Sequence, residues 1–426
     1  MYTLPKIERF NQNVLSKYHV YNSVFLTLPF DAIDNTGVLL PLFSEVCEKG
    51  FNKQETPIQI VDFFNKKYLD NAQEWDRIDL MFRFIQYIER QIVLFDAIED
   101  AAFPVVNNLE GKGSLRDIKE TAESKGKVEV FRQFLKNFNV RTVLTAHPTQ
   151  FYPGSVLGII TDLTDAIRED DLVKIKQLLS QLGKTPFIKK QKPTPFDEAV
   201  SLVWYLENVF YETSGAMLSY IQKNIFDGQD IQNPIFNLGF WPGGDRDGNP
   251  FVTTETTLQV ADRLRTSILK SYYKDIRKLK RKLTFYQVDT LLAELESKIY
   301  RSVFYSQGDI FITLEEFKNK LNEIKNIIIN QHQSLYLDDL NDLMNKVTLF
   351  GFYFASLDVR QNSKIHESVF TNLVSFPADF EKFSIAEKLN WLANLQGKLN
   401  PIDFSDDLTR STLESIYPMK TIQHKN

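Results

Sequence analysis

Apolar positions spaced three and four apart dominate this chain. Between Trp75 and Ala102 they fall at Ile78, Phe82, Ile85, Ile88, Ile92, Phe95 and Ile98, the spacing of a helix that buries one face. Phe103-Pro104 predicts its end, because proline has no N–H to continue the ladder, and Gly111 with Gly113 predicts a loop. The same period predicts helices over residues 128–138, 155–182, 195–225, 254–283, 286–306 and 314–331. Three shorter stretches break it, at 140–145, 235–241 and 349–359, each rich in β-branched or aromatic residues and read as a buried strand. Each strand runs into polar groups: His147, then Asp245-Arg246-Asp247, then Arg360-Gln361. A mostly α chain with a few such strands predicts a partial α/β, TIM-like barrel surrounded by many helices. In such barrels the strands' carboxyl ends carry the chemistry. Three strands do not close a barrel, and the chain shows no internal repeat or low-complexity linker.

Composition narrows this picture. The 426 residues are 43% hydrophobic and 25% charged, an ordinary globular balance that can bury a sizeable core. A net charge of −5 argues against nucleic acid as a partner, so an anionic ligand needs a local cluster of basic groups. Cys47 stands alone, which excludes an intrachain disulfide and a thiolate metal cage and fits a reducing compartment. The opening MYTLPKIERFNQ has no apolar signal-peptide core, and no apolar run reaches bilayer length. The expectation is a cytoplasmic protein with no membrane partner.

Three motifs carry candidate chemistry. In VLTAHPTQ, His147 follows a strand, is held by Pro148, and has Thr145 and Thr149 beside it. A histidine titrates near neutrality and can move a proton; the alternative is a core histidine satisfied by a carbonyl. In GFWPGGDRDGNPFVT, Gly243 and Gly244 permit a sharp bend and close approach of backbone N–H groups to an anion. Arg246 lies between Asp245 and Asp247, which would orient its fork towards phosphate or carboxylate; Trp241 supplies an apolar wall, and Thr253 or Thr254 caps the next helix. The alternatives are a rigid architectural turn, or a divalent-cation site on the two aspartates. In FYFASLDVRQNSKIH, Asp358 and Arg360 share one side of a strand, with Arg360 free either to fork onto an anion or to bridge to a helix. A fourth string, KKQKPTPFDEA from Lys189 to Ala199, reads mainly as a helix start with Asp197 and Glu198 in its first turn. The remaining histidines, His19, His332, His366 and His424, show no metal-ligand spacing.

These four strings, in this order, resemble phosphoenolpyruvate carboxylase, over most of the chain from Trp75 to Glu367. The resemblance implies a lyase that joins phosphoenolpyruvate and bicarbonate with Mg²⁺ or Mn²⁺, through carboxyphosphate and the pyruvate enolate, to oxaloacetate and phosphate. It implies that His147 is catalytic, taking the proton from carboxyphosphate. Arg360 would hold an anionic end of the substrate, Trp241 would border its methylene group, and Arg246 would support substrate binding. It implies a homotetramer for the full-length family. The family's second glycine- and arginine-rich motif, catalytic lysine and metal-holding carboxylates have no counterpart in these 426 residues. The chain therefore reads as the amino-terminal part of the catalytic domain, with the metal ligands expected in a carboxyl-terminal half of the barrel that is absent here, and little activity alone. Unpaired strand edges predict poor solubility or oligomers. Phe151, Tyr152, Pro153 and Gly154 stand where most members carry an arginine pair, which puts sugar-phosphate activation in doubt and suggests a divergent bacterial branch. A non-catalytic anion-binding or interaction protein derived from the family is the alternative.

Overall fold

A computed structural model describes residues 5–422 other than 27, 29–35, 71, 146–151, 153, 188–192, 232, 248, 250, 306–310, 374–376, 378, 398–399, 417–418 and 420–421. Residues 1–117 with 148–192 form one unit, and 118–147 with 193–426 form a second.

The first unit is helical throughout its described residues. Its longest helix, Glu74–Asn107, packs along Gly154–Arg168, burying Leu94, Ile98 and Leu163 completely. Each such side chain contributes about 1.5–3 kcal/mol relative to an exposed one. Arg90 is buried on the same face. It donates to the carbonyls of Gln86 (2.8 Å), Leu182 (3.1 Å) and Thr185 (2.9 Å), closing the carboxyl end of the helix Leu172–Lys184. At Leu182 and Thr185 the cation meets carbonyls at a helix carboxyl terminus, where the helix dipole also favours it.

Three expectations for this unit change. The face actually buried is Leu80, Phe84, Tyr87, Val93, Leu94, Ala97 and Ile98; Ile78, Phe82, Ile85, Ile88 and Ile92 lie 41–56% exposed. Both sides of the helix satisfy three-and-four spacing, so the period identifies a helix without choosing its inner side. Pro104 does not end the helix, which runs on to Asn107 and stops where Asn108 turns left-handed (φ 43°). Arg9 binds the Val106 carbonyl through Nε (3.2 Å) and Nη2 (2.7 Å), anchoring the last turn beyond the proline. The single helix expected over 155–182 is two, Gly154–Arg168 and Leu172–Lys184. Asp171 caps the second by accepting from the N–H groups of Val173 (3.1 Å) and Lys174 (3.0 Å).

In the second unit three parallel strands lie side by side in the order β1 (Val140–Leu144), β2 (Phe236–Phe240) and β3 (Ser356–Leu357). The register pairs Arg141 with Asn237 and Leu144 with Phe240, and then Phe240 with Leu357. The third expected strand is much shorter than 349–359. The helix Leu337–Phe350 occupies its start, and Gly351 (φ 55°) turns the chain so that Phe352 and Phe354 enter the core. Aromatic residues spaced two apart satisfy a buried turn as well as a strand, which is why the alternation misled. One side of the sheet joins the helical core through Leu238 and Phe240, with Leu144 and Leu357 packed against it.

Around the sheet, Thr254–Lys282 packs against Val288–Phe304, and Tyr211–Asn224 against Leu337–Phe350. The expected helix at 195–225 is present with a π-helical turn at Leu206–Phe210, and its start is a capping box between Thr194 and Asp197. Lys346 is buried among these helices and bonds Asp275 (2.9 Å) and Glu212 (2.7 Å); the Tyr211 hydroxyl donates to Asp275 (2.8 Å). The described residues therefore form a mostly helical chain with a small three-stranded parallel sheet. No helix among them is long and apolar enough to cross a membrane.

Candidate active site

The carboxyl ends of the three strands are stitched together by backbone. Trp241 N–H donates to the Leu144 carbonyl (3.0 Å) and Asp358 N–H to that of Phe240 (2.9 Å). Beyond them Arg360 N–H meets the Gly244 carbonyl, and Arg246 N–H meets that of Arg360, both at 2.9 Å. This bridge lets two loops run side by side past the end of the sheet. It requires glycine at 244, because a Cβ there would lie well inside contact distance of the Asp358 carbonyl oxygen. Gly243 has φ 79°, and a Cβ on it would meet Val260 Cγ2 at 2.5 Å. The N–H groups of Gly244 and Asp245 both return to the Trp241 carbonyl (2.8 and 2.9 Å), so these two amides are spent on the turn and not on an anion.

Side chains then form a chain of alternating charge. Arg360 sits over the Trp241 indole, its Cζ 3.8 Å from the ring centroid, and its Nη1 donates to Asp245 Oδ2 at 2.9 Å. Trp241 Nε1 donates to Asp358 Oδ2 at 3.2 Å, and the other Asp358 oxygen pairs with Arg141. Arg141, Trp241, Asp358 and Arg360 all border one cavity of about 910 Å³. Aromatic stacking and one carboxylate fix the Arg360 guanidinium while leaving its other N–H groups without a partner among the described residues, which is what an oxyanion receptor needs.

Of the residues singled out by sequence, Trp241 and Arg360 come together here. Arg246 has a different partner from either flanking aspartate: it donates to Ser411 through the carbonyl (3.0 Å) and the hydroxyl (2.6 Å), in the helix Asp407–Glu414. Burial lowers the pKa of its guanidinium below the ordinary value, with Glu414 acting in the opposite sense. Arg246 is thus a brace between the glycine turn and a later helix. His147, with Pro148 and Thr149, lies outside the described residues, as does the lysine run 189–192. Arg141 was not singled out. The signal available was strand alternation, which puts residue 141 on the same face as 143 and 145.

Among the described residues no group of three or more His, Cys, Asp or Glu is placed to hold a metal. Asp245 and Asp358, the carboxylates in the cluster, are each bound to an arginine. Each gives one oxygen to a guanidinium and the other to an N–H group, of Asp247 for Asp245 and of the Trp241 indole for Asp358, so they do not fit a Mg²⁺ or Mn²⁺ site, which wants several free oxygens.

The phosphoenolpyruvate carboxylase family model matches residues 104–304 and 287–426. The chain belongs to the phosphoenolpyruvate carboxylase family. It is 24% identical to a phosphoenolpyruvate carboxylase from Aeromonas salmonicida over 335 residues, covering 67% of this chain and 38% of that relative. The Vibrio vulnificus enzyme of the same name is 26% identical over 315 residues, covering 63% of this chain and 36% of its own length. The chain thus aligns with less than two fifths of these phosphoenolpyruvate carboxylases.

Proposed function

We propose that this chain forms the arginine- and histidine-bearing part of a phosphoenolpyruvate carboxylase site, built on the first strands of an α/β barrel. The observation that carries this reading is the Arg360 guanidinium, stacked on Trp241 and tied to Asp245 where three parallel strands end. Phosphoenolpyruvate is an anion with a carboxylate, a phosphate and a planar methylene carbon. Arg360 binds an anionic end of it, and the exposed part of the Trp241 ring borders the methylene carbon, shielding the enolate from water. His147 follows β1 by three residues in sequence and takes the proton of carboxyphosphate, so that carbon dioxide is released next to the enolate carbon. Arg246 supports the site by holding the glycine turn to Ser411.

The divalent cation that the family reaction calls for is held by carboxylates outside this chain, on a segment that completes the barrel and assembles into a cytoplasmic homotetramer. The polypeptide alone then has little carboxylase activity. The test is oxaloacetate formation from phosphoenolpyruvate, bicarbonate and Mg²⁺ by the purified chain, with and without a polypeptide comprising the rest of a family member. Product only in the mixture, lost in His147→Asn, supports the reading. Robust product from the chain alone refutes the division of the site. No product in either case, with phosphoenolpyruvate still bound, favours an anion-binding protein derived from the family.

A further inference from the structure

We infer that Arg141 is a second oxyanion-holding residue of this site, gripping a carboxylate or phosphate of the same substrate that Arg360 binds. The inference rests on the phosphoenolpyruvate reading and adds a residue that no family motif quoted above contains.

The argument starts from register. Arg141 is the second residue of β1, and its Cα is level with Asn237, four residues before Trp241. A short side chain at this position would stay at the amino-terminal half of the strand, away from the chemistry. The arginine instead runs along the sheet surface to reach Asp358 beyond the end of β3. It can do so because residue 239 on the neighbouring strand is glycine. A Cβ at Gly239 would lie 3.0 Å from Arg141 Nε and 3.2 Å from its Nη2, so the missing side chain is the channel in which the guanidinium lies.

Chemistry argues that this cation does more than make an ion pair. The faces of a parallel sheet are ordinarily apolar and covered. Here the face that borders the cavity carries Arg141, Asn237, Trp241, Asp358 and Arg360. Arg141 uses Nη2 on Asp358, and its Nε and Nη1 have no hydrogen-bond partner among the described residues. Its side chain is 46% exposed, a degree at which an isolated surface pair contributes little to stability. Asp358 is shared between Arg141 and Trp241 Nε1, so the carboxylate holds both the cation and the aromatic wall in place. Two guanidiniums on one cavity wall, each oriented by a carboxylate and each with unused N–H groups, suit a small molecule bearing two anionic ends.

The experiment uses the full chain with Trp75, Trp204 and Trp391 replaced by phenylalanine, so that Trp241 alone reports. Its fluorescence is titrated with phosphoenolpyruvate and, separately, with inorganic phosphate. Saturable quenching by phosphoenolpyruvate is expected, weakened about tenfold in Arg141→Gln, as for loss of one charge-assisted contact. Gly239→Ala, which crowds the guanidinium without removing its charge, is expected to weaken binding as well. Arg277→Gln, which removes an outer pair with Glu296, is expected to leave it unchanged. Circular dichroism melts confirm that each variant is folded, and Arg141→Lys serves if Arg141→Gln is not. The inference is overturned if Arg360→Gln abolishes binding while Arg141→Gln stays within twofold. It is equally overturned if Arg141→Gln shifts the unliganded emission but not the affinity, because Arg141 would then only position Asp358. Phosphate binding that depends on Arg141, with no response to phosphoenolpyruvate, would keep the oxyanion subsite and overturn the carboxylase reading. No response to either ligand would overturn both.

Discussion

Arg360 covers the face of Trp241 at 3.8 Å while donating to Asp245, so the guanidinium is held from below by the ring and from one side by the carboxylate. The stacking is a cation–π contact at a half-exposed site, a setting worth about 0.5–1 kcal/mol. A double-mutant cycle of Trp241→Leu and Arg360→Gln, read by urea denaturation, is expected to return a coupling energy of about that size. Additive effects would mean that the two side chains do not stack in solution. Arg360→Lys is expected not to recover the coupling, because an ammonium lacks the planar face.

Glycine at 244 is the tightest point of the site. The two loops are joined through Gly244, Asp358 and Arg360 backbone, and backbone cannot yield as a side-chain tip can. Gly244→Ala is expected to cost about 3 kcal/mol or more, among the large single-residue effects. Gly158 offers the opposite case: it lies within the helix Gly154–Arg168, and nothing would be within 4 Å of an added Cβ. Gly158→Ala is expected to stabilise by about 0.5–1 kcal/mol. Thermal melts of the two variants beside the parent decide both, and equal effects would sink the argument.

This contrast also shows what could be read from sequence. The glycine pair announced a tight bend, and the helices at 128–138, 254–283 and 314–331 followed from their period, since each has one dominant apolar side. The inner side of Glu74–Asn107 did not follow, because Ile78 and Phe82 obey the same spacing as Leu80 and Phe84. Trp241 and Arg360 stood out in the sequence because each follows a strand in a motif of mixed charge, and the structure brings the two side chains together. The Arg141 contact was not, since it depends on a glycine in another strand nearly a hundred residues away and on a register that only pairing reveals. Likewise, the Asp–Arg–Asp run suggested that Arg246 is gripped by its neighbours, whereas tertiary structure sends it to Ser411.

Arg246 therefore separates bracing from binding. Both of its terminal nitrogens are used on Ser411, and it is partly buried, so its loss frees the helix Asp407–Glu414 from the glycine turn. Arg246→Ala is expected to cost about 1–3 kcal/mol, and Ser411→Ala, which removes the hydroxyl and keeps the carbonyl, less than that. Limited proteolysis is expected to cut near residues 407–414 sooner in Arg246→Ala than in the parent. Unchanged cleavage with a large loss of phosphoenolpyruvate affinity would place Arg246 on the substrate instead.

The buried Lys346–Asp275 pair sets a pH dependence whose sign follows from the carboxylate. Burial pushes the Asp275 pKa up, but Lys346 beside it, with hydrogen bonds from Lys346, Lys278 and Tyr211, outweighs burial and holds it below the ordinary aspartate value. A carboxyl whose pKa is lower folded than unfolded binds its proton more readily in the unfolded chain. Its stabilising contribution is therefore complete above the unfolded value and is lost as pH falls through the folded one. The relevant window lies below about pH 4, the unfolded carboxyl range. Urea midpoints measured between pH 7 and pH 3 are expected to fall more steeply at the acid end for the parent than for Asp275→Asn. The variant is expected to start about 1.5–3 kcal/mol lower at neutral pH, because Lys346 loses its buried charge-assisted hydrogen bond and keeps only the more exposed Glu212. Replacing both partners, Asp275→Asn with Lys346→Met, is expected to regain much of that loss, since an apolar side chain at 346 asks for no counter-ion. Parallel acid curves for parent and Asp275→Asn would show that this aspartate is not linked to folding, and that the fall in stability belongs to other carboxylates.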